Sequence, residues 1–300
     1  MATPALYGMT GRTVLITGGS GTFGSAATKA LLATDVHRVR AYARGEHRLA
    51  TLQELGDNRL RTFAGDVRDL DRLTLAMRGV DLVFHAAAMK RVERCEYDPL
   101  EAIHTNILGT ENVVKAALDT GARVVFLSSD KACRPITHYG YTKAAAESLV
   151  LKANAYVGGR PRFSVMRYGN VSNSQGSVIP FWQRLAEEGR VLPITDLRMT
   201  RFWITIEEAV AFALWVADQP AGVIYVPKMP AYKLVDLAFA IQRCPTPLSV
   251  VGTRGVEKLH EDIVAPWEKQ VVNPWGVPMS SDLAPDQLDV TTLQRYLEAL

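Results

Sequence analysis

Cysteine is scarce: the 300 residues include only Cys95, Cys133 and Cys244, and none of them forms a CxxC pair. An odd number without that spacing argues against a disulfide framework or a zinc knuckle and fits a reducing compartment. The six histidines form neither HExxH nor any other ligand pair, so no protein-bound metal is expected. No apolar run approaches the roughly 18 residues needed to span a bilayer, so no membrane partner is expected. The first ten residues lack a basic stretch followed by an apolar one, so no signal peptide is expected and the cytoplasm is the expected location. Charge of one sign is missing as well. The formal net charge is only +3, and the lysines and arginines are dispersed rather than gathered in a stripe, which argues against nucleic acid. The mild basic excess suits an anionic ligand such as a nucleotide but does not demonstrate one.

What the chain does have is core. Hydrophobic residues make up 48% of it, enough for one large domain or a domain plus a lobe. From residue 12 to 167, short apolar runs (13–17, 39–42, 60–63, 82–85, 124–127 and 163–166) alternate with longer helix-like segments such as 25–33, 100–118 and 144–156. Short runs rich in β-branched and aromatic residues suit strands buried on both faces of a parallel sheet. Regular alternation of strand and helix predicts an α/β fold, a Rossmann-type doubly wound sheet over residues 1–168. After Gly169 the rhythm changes to short helices (181–188, 207–217, 234–243, 291–300) and brief strands (191–194, 223–226, 248–251), with more Pro and Gly. Residues 169–300 are expected to form a smaller substrate-binding lobe, partly interleaved with the first domain.

The run Thr17-Gly18-Gly19-Ser20-Gly21-Thr22-Phe23-Gly24 leaves the first strand and opens a helix. In a GxxGxxG turn the first glycine (Gly18) permits the tight bend, the second (Gly21) admits a pyrophosphate, and the third (Gly24) lets helix pack on strand. The free N–H groups of the helix N-terminus attract the phosphates. At the end of the second strand, Ala43 is followed by Arg44, with Arg48 one turn later. An acidic residue there would hold the ribose diol of NAD, whereas arginines suit a 2′-phosphate, so NADP is favoured with NAD as the alternative. Asp66 and Val67, after the third strand, are placed to meet the adenine, and Ala86 and Ala87, after the fourth, to line the cofactor.

The fifth strand ends in Ser128-Ser129-Asp130-Lys131, and Tyr139 precedes Lys143 by four residues, which puts both on one helical face. Tyr141 faces elsewhere. A phenol of pKa about 10 is a poor base at neutral pH, so Lys143 and a cationic nicotinamide are expected to favour the phenolate. Tyr139 then takes a hydroxyl proton while hydride leaves for the cofactor, and Ser129 hydrogen-bonds the same oxygen. Asp130-Lys131 adds an acid and a base beside that serine. Once C4 of a hexose is a ketone, its C5 proton is acidic. Lys131 as base and Asp130 as acid would then eliminate the C6 hydroxyl, provided Lys131 is partly neutral, which burial and the cationic cofactor are expected to favour. The plain alternative is an Asp-Lys ion pair at a strand end.

These motifs resemble the extended short-chain dehydrogenase/reductase family, and within it the inverting UDP-N-acetylglucosamine 4,6-dehydratases of pseudaminic-acid and capsule pathways. The matching stretches are TGGSGTFG at Thr17, HAAAMKRVERCEYDPLEAIHTNILGT at His85, SSDKACRPITHYGYTK at Ser128, RYGNVSNSQGSVIPFW at Arg167, MTRFWITIEEA at Met199, VPKMPAYKLVDLAFAI at Val226 and GTRGVEKLHE at Gly252. The Asp-Lys pair is the specific mark, because retaining dehydratases carry Asp-Glu there and epimerases neither. The resemblance implies that Tyr139 and Lys143 are the catalytic pair, and Asp130 and Lys131 the dehydration pair. It places Lys90 near cofactor and substrate, Thr105 at the cofactor, Asn170 at the substrate, Arg201 and Arg254 at a diphosphate, and Glu257 beside a uridine. It also implies a homo-oligomer, a dimer or a hexamer. The chain departs from the family at Gln175, usually Arg, at Gly255-Val256, usually Pro-Gly, and at Gly45, usually Asp, and between Lys269 and Pro278 it looks shorter. Two other readings stand beside the dehydratase: a 4-epimerase or 4-ketoreductase, and a non-catalytic dinucleotide sensor. The sensor is disfavoured because Tyr139 and Lys143 are both present.

Overall fold

The computed structural model describes residues 8–172, 174, 176–242, 248–253, 255, 257–272 and 278–300. Gln175, Cys244, Arg254, Val256 and residues 273–277 lie outside them. Strands and helices alternate as β1 (Thr13–Thr17), α1 (Thr22–Leu32), β2 (Arg38–Ala43), α2 (Glu46–Gln53), β3 (Leu60–Ala64), α3 (Leu70–Met77) and β4 (Leu82–His85). They continue through α4 (Val92–Tyr97), α5 (Pro99–Ile103), α6 (Gly109–Thr120), β5 (Arg123–Leu127), α7 (His138–Lys152) and β6 (Phe163–Met166). Each of the six expected apolar runs is a strand, and β1, β4 and β5 are almost wholly buried. The strand order β3-β2-β1-β4-β5-β6, parallel throughout, reverses direction between β1 and β4. Ligands of such sheets sit outside the carboxyl ends of the strands at that reversal.

The remaining elements are β7 (Asn170–Val171), α8 (Val178–Glu187), β8 (Pro193–Ile194), β9 (Thr200–Ile204), α9 (Ile206–Asp218), β10 (Ile224–Tyr225), β11 (Ala231–Lys233) and α10 (Leu234–Gln242). After them come β12 (Ser249–Val250), β13 (Val271–Val272), β14 (Gln287–Leu288) and α11 (Val290–Glu298). Both β10 and β13 return to extend the large sheet beyond β6, and α9 packs beside α1 on one of its faces. The lobe itself is built on a four-stranded sheet, β14-β11-β9-β7, and on α8, α10 and α11 around Trp182, Trp203 and Leu237. Burying such aromatics removes well over 100 Å² of apolar surface from water per side chain, which gives the lobe a core of its own.

The sequence pattern misses two features. The expected single helix over residues 100–118 is two helices joined by a π turn, His104–Leu108. The wider turn faces Asn106 inward, where its amide holds both backbone groups of Met89 and the Thr142 hydroxyl. The strands expected after Gly169 do not include Thr200–Ile204 or Ala231–Lys233, yet this antiparallel pair, β9–β11, forms the centre of the second sheet. Among the described residues no helix is long and apolar enough to cross a membrane, and no group of His, Cys, Asp or Glu could hold a metal ion.

Candidate active site

The glycine turn is forced by close packing. Gly18 has φ +69°, and a Cβ there would lie 2.9 Å from the Ala87 nitrogen, while one at Gly24 would strike the Gly18 carbonyl. α1 therefore starts against β1 with Gly21 as its cap, a residue with no side chain to cover the first N–H groups. In front of it opens a cavity of about 650 Å³ lined by Gly18 and Ser20 to Gly24, Ala43, Arg44, Arg48, Asp66, Val67, Ala86, Ala87, Lys90 and Thr105. A bare helix N-terminus and a turn too tight for side chains are what a dinucleotide pyrophosphate needs, so these residues fit such a cofactor. The Arg44 side chain is 63% exposed and rests 3.9 Å from Asp66 and 3.8 Å from Glu101. Asp66 is held more tightly by Arg68, at 2.6 Å.

Ser129, Asp130, Lys131 and Tyr139 meet on the inner wall of this cavity, where β5 ends against α7, with Lys143 behind them. Thr137 caps α7 by accepting the Gly140 N–H, and at Gly140 the helix lies so close to the Lys131 carbonyl that a Cβ would strike it. That contact sets the register of Tyr139 against Asp130 and Lys131. Tyr139 and Lys143 are 8% and 3% exposed, whereas Tyr141 is 57% exposed. Burial pushes the Tyr139 phenol up to about 12; Lys131 and a hydrogen bond with Ser129 pull the other way, and Asp130 adds to the rise. Lys143 does not act on the phenol as expected. Its ammonium donates to the Leu127 carbonyl at 2.6 Å and lies over the Phe126 ring, and burial takes it down to about 7, with Glu147 opposing. The cation that bears on Tyr139 is Lys131. His138, adjacent in sequence, ties α7 to Glu96 and to the Pro99 carbonyl and has no part in this cluster.

Ser129 donates to Asp130 Oδ1 at 2.8 Å, and Lys131 Nζ reaches Asp130 Oδ1 at 3.1 Å, Asn170 Oδ1 at 3.5 Å and Glu261 Oε1 at 3.4 Å. Burial raises the Asp130 carboxyl above the usual carboxylate range; Lys131 works against the rise and Glu261 adds to it. Its second oxygen, Oδ2, is buried without a partner. Lys131 overturns an expectation. Burial alone would neutralise it, but Asp130 and Glu261 more than offset that cost and hold its pKa above the ordinary ammonium value. Partial neutrality through burial fails here because two carboxylates, the adjacent Asp130 and Glu261 from a distant segment, face it.

A second cavity, about 950 Å³, opens on the lobe side of Lys131 and shares Lys90, Asn170, Ser174 and Ser177 with the first. Burial lowers the Lys90 ammonium, and Arg91 adds to the effect. Arg201, on β9, lines this cavity, but most of its N–H groups are engaged: Nη1 donates to the Thr200 and Leu259 carbonyls and Nη2 to that of Lys258. It gives the cavity positive charge while holding the 257–262 stretch in place. Glu257 lines the same wall with Oε2 unpartnered. Arg254 lies outside the described residues.

Sequence reasoning missed Glu261, which is 3% exposed and set among Lys131 at 3.4 Å, Arg201 at 3.7 Å and Lys258 at 3.9 Å. Burial would raise its carboxyl, but these three cations hold it below its usual value. The only available signal was its place at the end of the GTRGVEKLHE stretch. His47, beside Arg44 on the cofactor cavity, was also missed. A further buried network joins this region to the sheet. Arg167, 1% exposed, gives all its N–H groups to Glu147, Glu268 and the Ile263 carbonyl at 2.5–3.1 Å.

Residues 14–276 match the family described as polysaccharide biosynthesis protein. The chain is 46% identical to a UDP-N-acetylglucosamine 4,6-dehydratase (inverting) of Campylobacter jejuni, over 85% of its own length and 78% of the relative's. It is 40% identical to a UDP-glucose 4-epimerase of Rickettsia akari over the same shares of each chain. Among solved structures, Pen from Bacillus thuringiensis superposes with a TM-score of 0.87 at 32% identity, covering 97% of this chain and 99% of that one.

Proposed function

The chain belongs to the polysaccharide biosynthesis protein family, within the extended short-chain dehydrogenase/reductases, and we propose that it is a sugar-nucleotide 4,6-dehydratase that inverts C5. Its substrate is UDP-N-acetylglucosamine or a close relative, and its product a 4-keto-6-deoxy-L-hexosamine nucleotide. The observation that carries this reading is the Asp130-Lys131 pair directly after Ser129, with Asp130 buried and Lys131 partly exposed, beside Tyr139 and at the junction of the two cavities. The similarity to an inverting dehydratase supports it independently.

The residues at the phosphate turn would hold a nicotinamide dinucleotide, NADP rather than NAD, with Arg44 and Arg48 suited to a 2′-phosphate and Lys143 behind Tyr139. Bound there, such a dinucleotide would supply reversible hydride transfer to the hexose. Tyr139 takes the C4 hydroxyl proton, and Ser129 orients that oxygen. Asp130, whose carboxyl burial raises above the usual range, supplies the proton that departs with the C6 oxygen as water. Lys131 takes the C5 proton. Arg201 and Arg254 offset the diphosphate charge, and Asn170, Lys90 and Glu257 orient the sugar and base. The protein works in the cytoplasm as a homo-oligomer.

The test is incubation with UDP-N-acetylglucosamine and NADP in deuterated water, followed by proton NMR. The expected product carries a C6 methyl group and deuterium at an inverted C5. The similarity to a UDP-glucose 4-epimerase favours a second reading, 4-epimerisation. A product that keeps its C6 hydroxyl would establish that reading and end the first.

A further inference from the structure

His85 is the one polar side chain of β4 and lines neither cavity, yet both of its ring nitrogens are engaged. Counting protons assigns the direction of each bond. The Thr110 hydroxyl donates to the Asn106 carbonyl at 2.7 Å, so toward the ring it can only accept. The proton therefore sits on His85 Nε2, 2.9 Å away. Burial, with Lys143 adding to the effect, takes the imidazole down to about 3, so the ring is neutral and Nδ1 is bare. Nδ1 accepts the Thr17 hydroxyl at 2.7 Å, and the Thr17 oxygen accepts the Ala87 N–H at 3.2 Å. On the far side, the Asn106 amide donates to the Thr142 hydroxyl at 3.0 Å, and that hydroxyl donates to the Tyr139 carbonyl at 2.8 Å. One line of hydrogen bonds thus runs from Ala87, on the wall of the cofactor cavity, to the residue that bears the phenol. Thr17, His85, Asn106, Thr110 and Thr142 are at most 1% exposed, so water cannot stand in for a missing member.

We propose that His85 is a positioning residue with two separate tasks: its Nδ1 side fixes the cofactor wall at Ala87 through Thr17, and its Nε2 side fixes the seat of Tyr139 through Thr110 and Asn106. An apolar ring would fill the same place beside Phe126, whose ring lies 5.3 Å away, without the cost of burying polar atoms. The imidazole does what no apolar ring can: it accepts on one edge and donates on the other. The Nδ1 edge ties the end of β4 to the end of β1, where the glycine turn begins. The Nε2 edge holds α6 at the π turn, whose Asn106 also grips both backbone groups of Met89.

This inference rests on the hydride-transfer part of the proposed function. Wild-type protein that neither binds NADP nor reduces it with UDP-N-acetylglucosamine overturns both before any variant is made; the product analysis that separates dehydratase from epimerase is a different readout. Given a working wild type, Thr17→Val and Thr110→Val each remove one hydroxyl of the line and keep the branched shape. In T17V the NADP dissociation constant is expected to rise about tenfold, the scale of one buried hydrogen bond lost, while single-turnover cofactor reduction at saturating NADP stays within about twofold. T110V should show the reverse: cofactor reduction about tenfold slower, with NADP affinity within about twofold. Variants that lose stability in urea but leave both readouts unchanged, or move both alike, would overturn the inference and make His85 a core residue only. Nitrogen NMR of histidine-labelled wild type should show a protonated Nε2 and a bare Nδ1 throughout about pH 5–9; the opposite tautomer, or titration in that range, would also overturn it. If a threonine variant does not fold, His85→Gln, which keeps a donor toward Thr110, replaces T17V, and His85→Asn, which keeps an acceptor toward Thr17, replaces T110V. The same split is then expected, and its absence counts against the inference in the same way.

Discussion

Replacing Arg167 by methionine tests how the lobe is fastened to the sheet. The guanidinium has five N–H groups and makes five hydrogen bonds, two to Glu147, two to Glu268 and one to the Ile263 carbonyl. At 1% exposure it has no water to replace them. Methionine fills much of the volume but leaves the Glu147 carboxylate, itself 4% exposed, without its cation. Breaking a buried pair by removing one partner costs about 3–5 kcal/mol, because the surviving charge remains desolvated. R167M should therefore unfold in urea with a stability lower by that amount. Arg167→Met/Glu147→Met, which removes the stranded charge, should recover a large part of it. The effect should also depend on pH. Burial pushes the Glu268 carboxyl up, but Arg167 outweighs it and holds the group below its ordinary value. Its contribution to stability is present above the unfolded-state value, about 4.3, and is lost as pH falls through the lower folded-state value. The gap between wild type and R167M should narrow on acidification. A loss under about 1 kcal/mol, or a double variant no more stable than the single, would refute the account of a desolvated ion cluster.

Lys131→Ala should abolish deuterium entry at C5 while NADP still binds, read by NMR and by fluorescence titration; normal turnover would remove Lys131 from the role of base. Tyr139→Phe should slow single-turnover cofactor reduction by about 10²–10⁴-fold with little change in thermal stability, since the ring stays buried. Arg44→Ala should weaken NADP about tenfold, one lost ion pair to a partly exposed phosphate, and leave NAD affinity unchanged by calorimetry. Gly140→Ala drives a methyl group into the Lys131 carbonyl. It should destabilise the fold by about 1–3 kcal/mol and reduce dehydration more than cofactor reduction, because the displaced residue is Lys131.

The large sheet was legible because strands buried on both faces are written as uninterrupted apolar runs, and 13–17, 82–85 and 163–166 are strands with those very ends. The glycine turn was legible for a related reason, since contact distances at Gly18 and Gly24 leave no room for another residue. β9 was not, because Thr200-Arg-Phe-Trp-Ile204 takes its meaning from an antiparallel partner at Ala231–Lys233, which no short-range pattern announces. The π turn depends on Asn106 finding Met89 and Thr142, and those partners come together only in the folded chain. The protonation of the site was the least legible part. Adjacency suggested the Asp130-Lys131 pair, but the charge state of Lys131 depends on Asp130 and on the distant Glu261 together, and that of Tyr139 on Lys131 more than on Lys143. Helical spacing brings Tyr139 and Lys143 to one face; it does not decide which neighbour's field a phenol feels.

Lys90, Lys131, Asn170, Ser174 and Ser177 form a single partition with one face on each chamber. Ligands seated in both chambers would touch the same side chains, so their affinities are expected to be linked. Linkage of this kind is reciprocal: whatever factor the dinucleotide adds to the affinity for the sugar nucleotide, the sugar nucleotide adds to the affinity for the dinucleotide. A hydride lent and returned within one turnover gives the dinucleotide no reason to leave. Under the proposed function, sugar nucleotides should come and go past a resident cofactor whose own escape is slowest while the second chamber is filled.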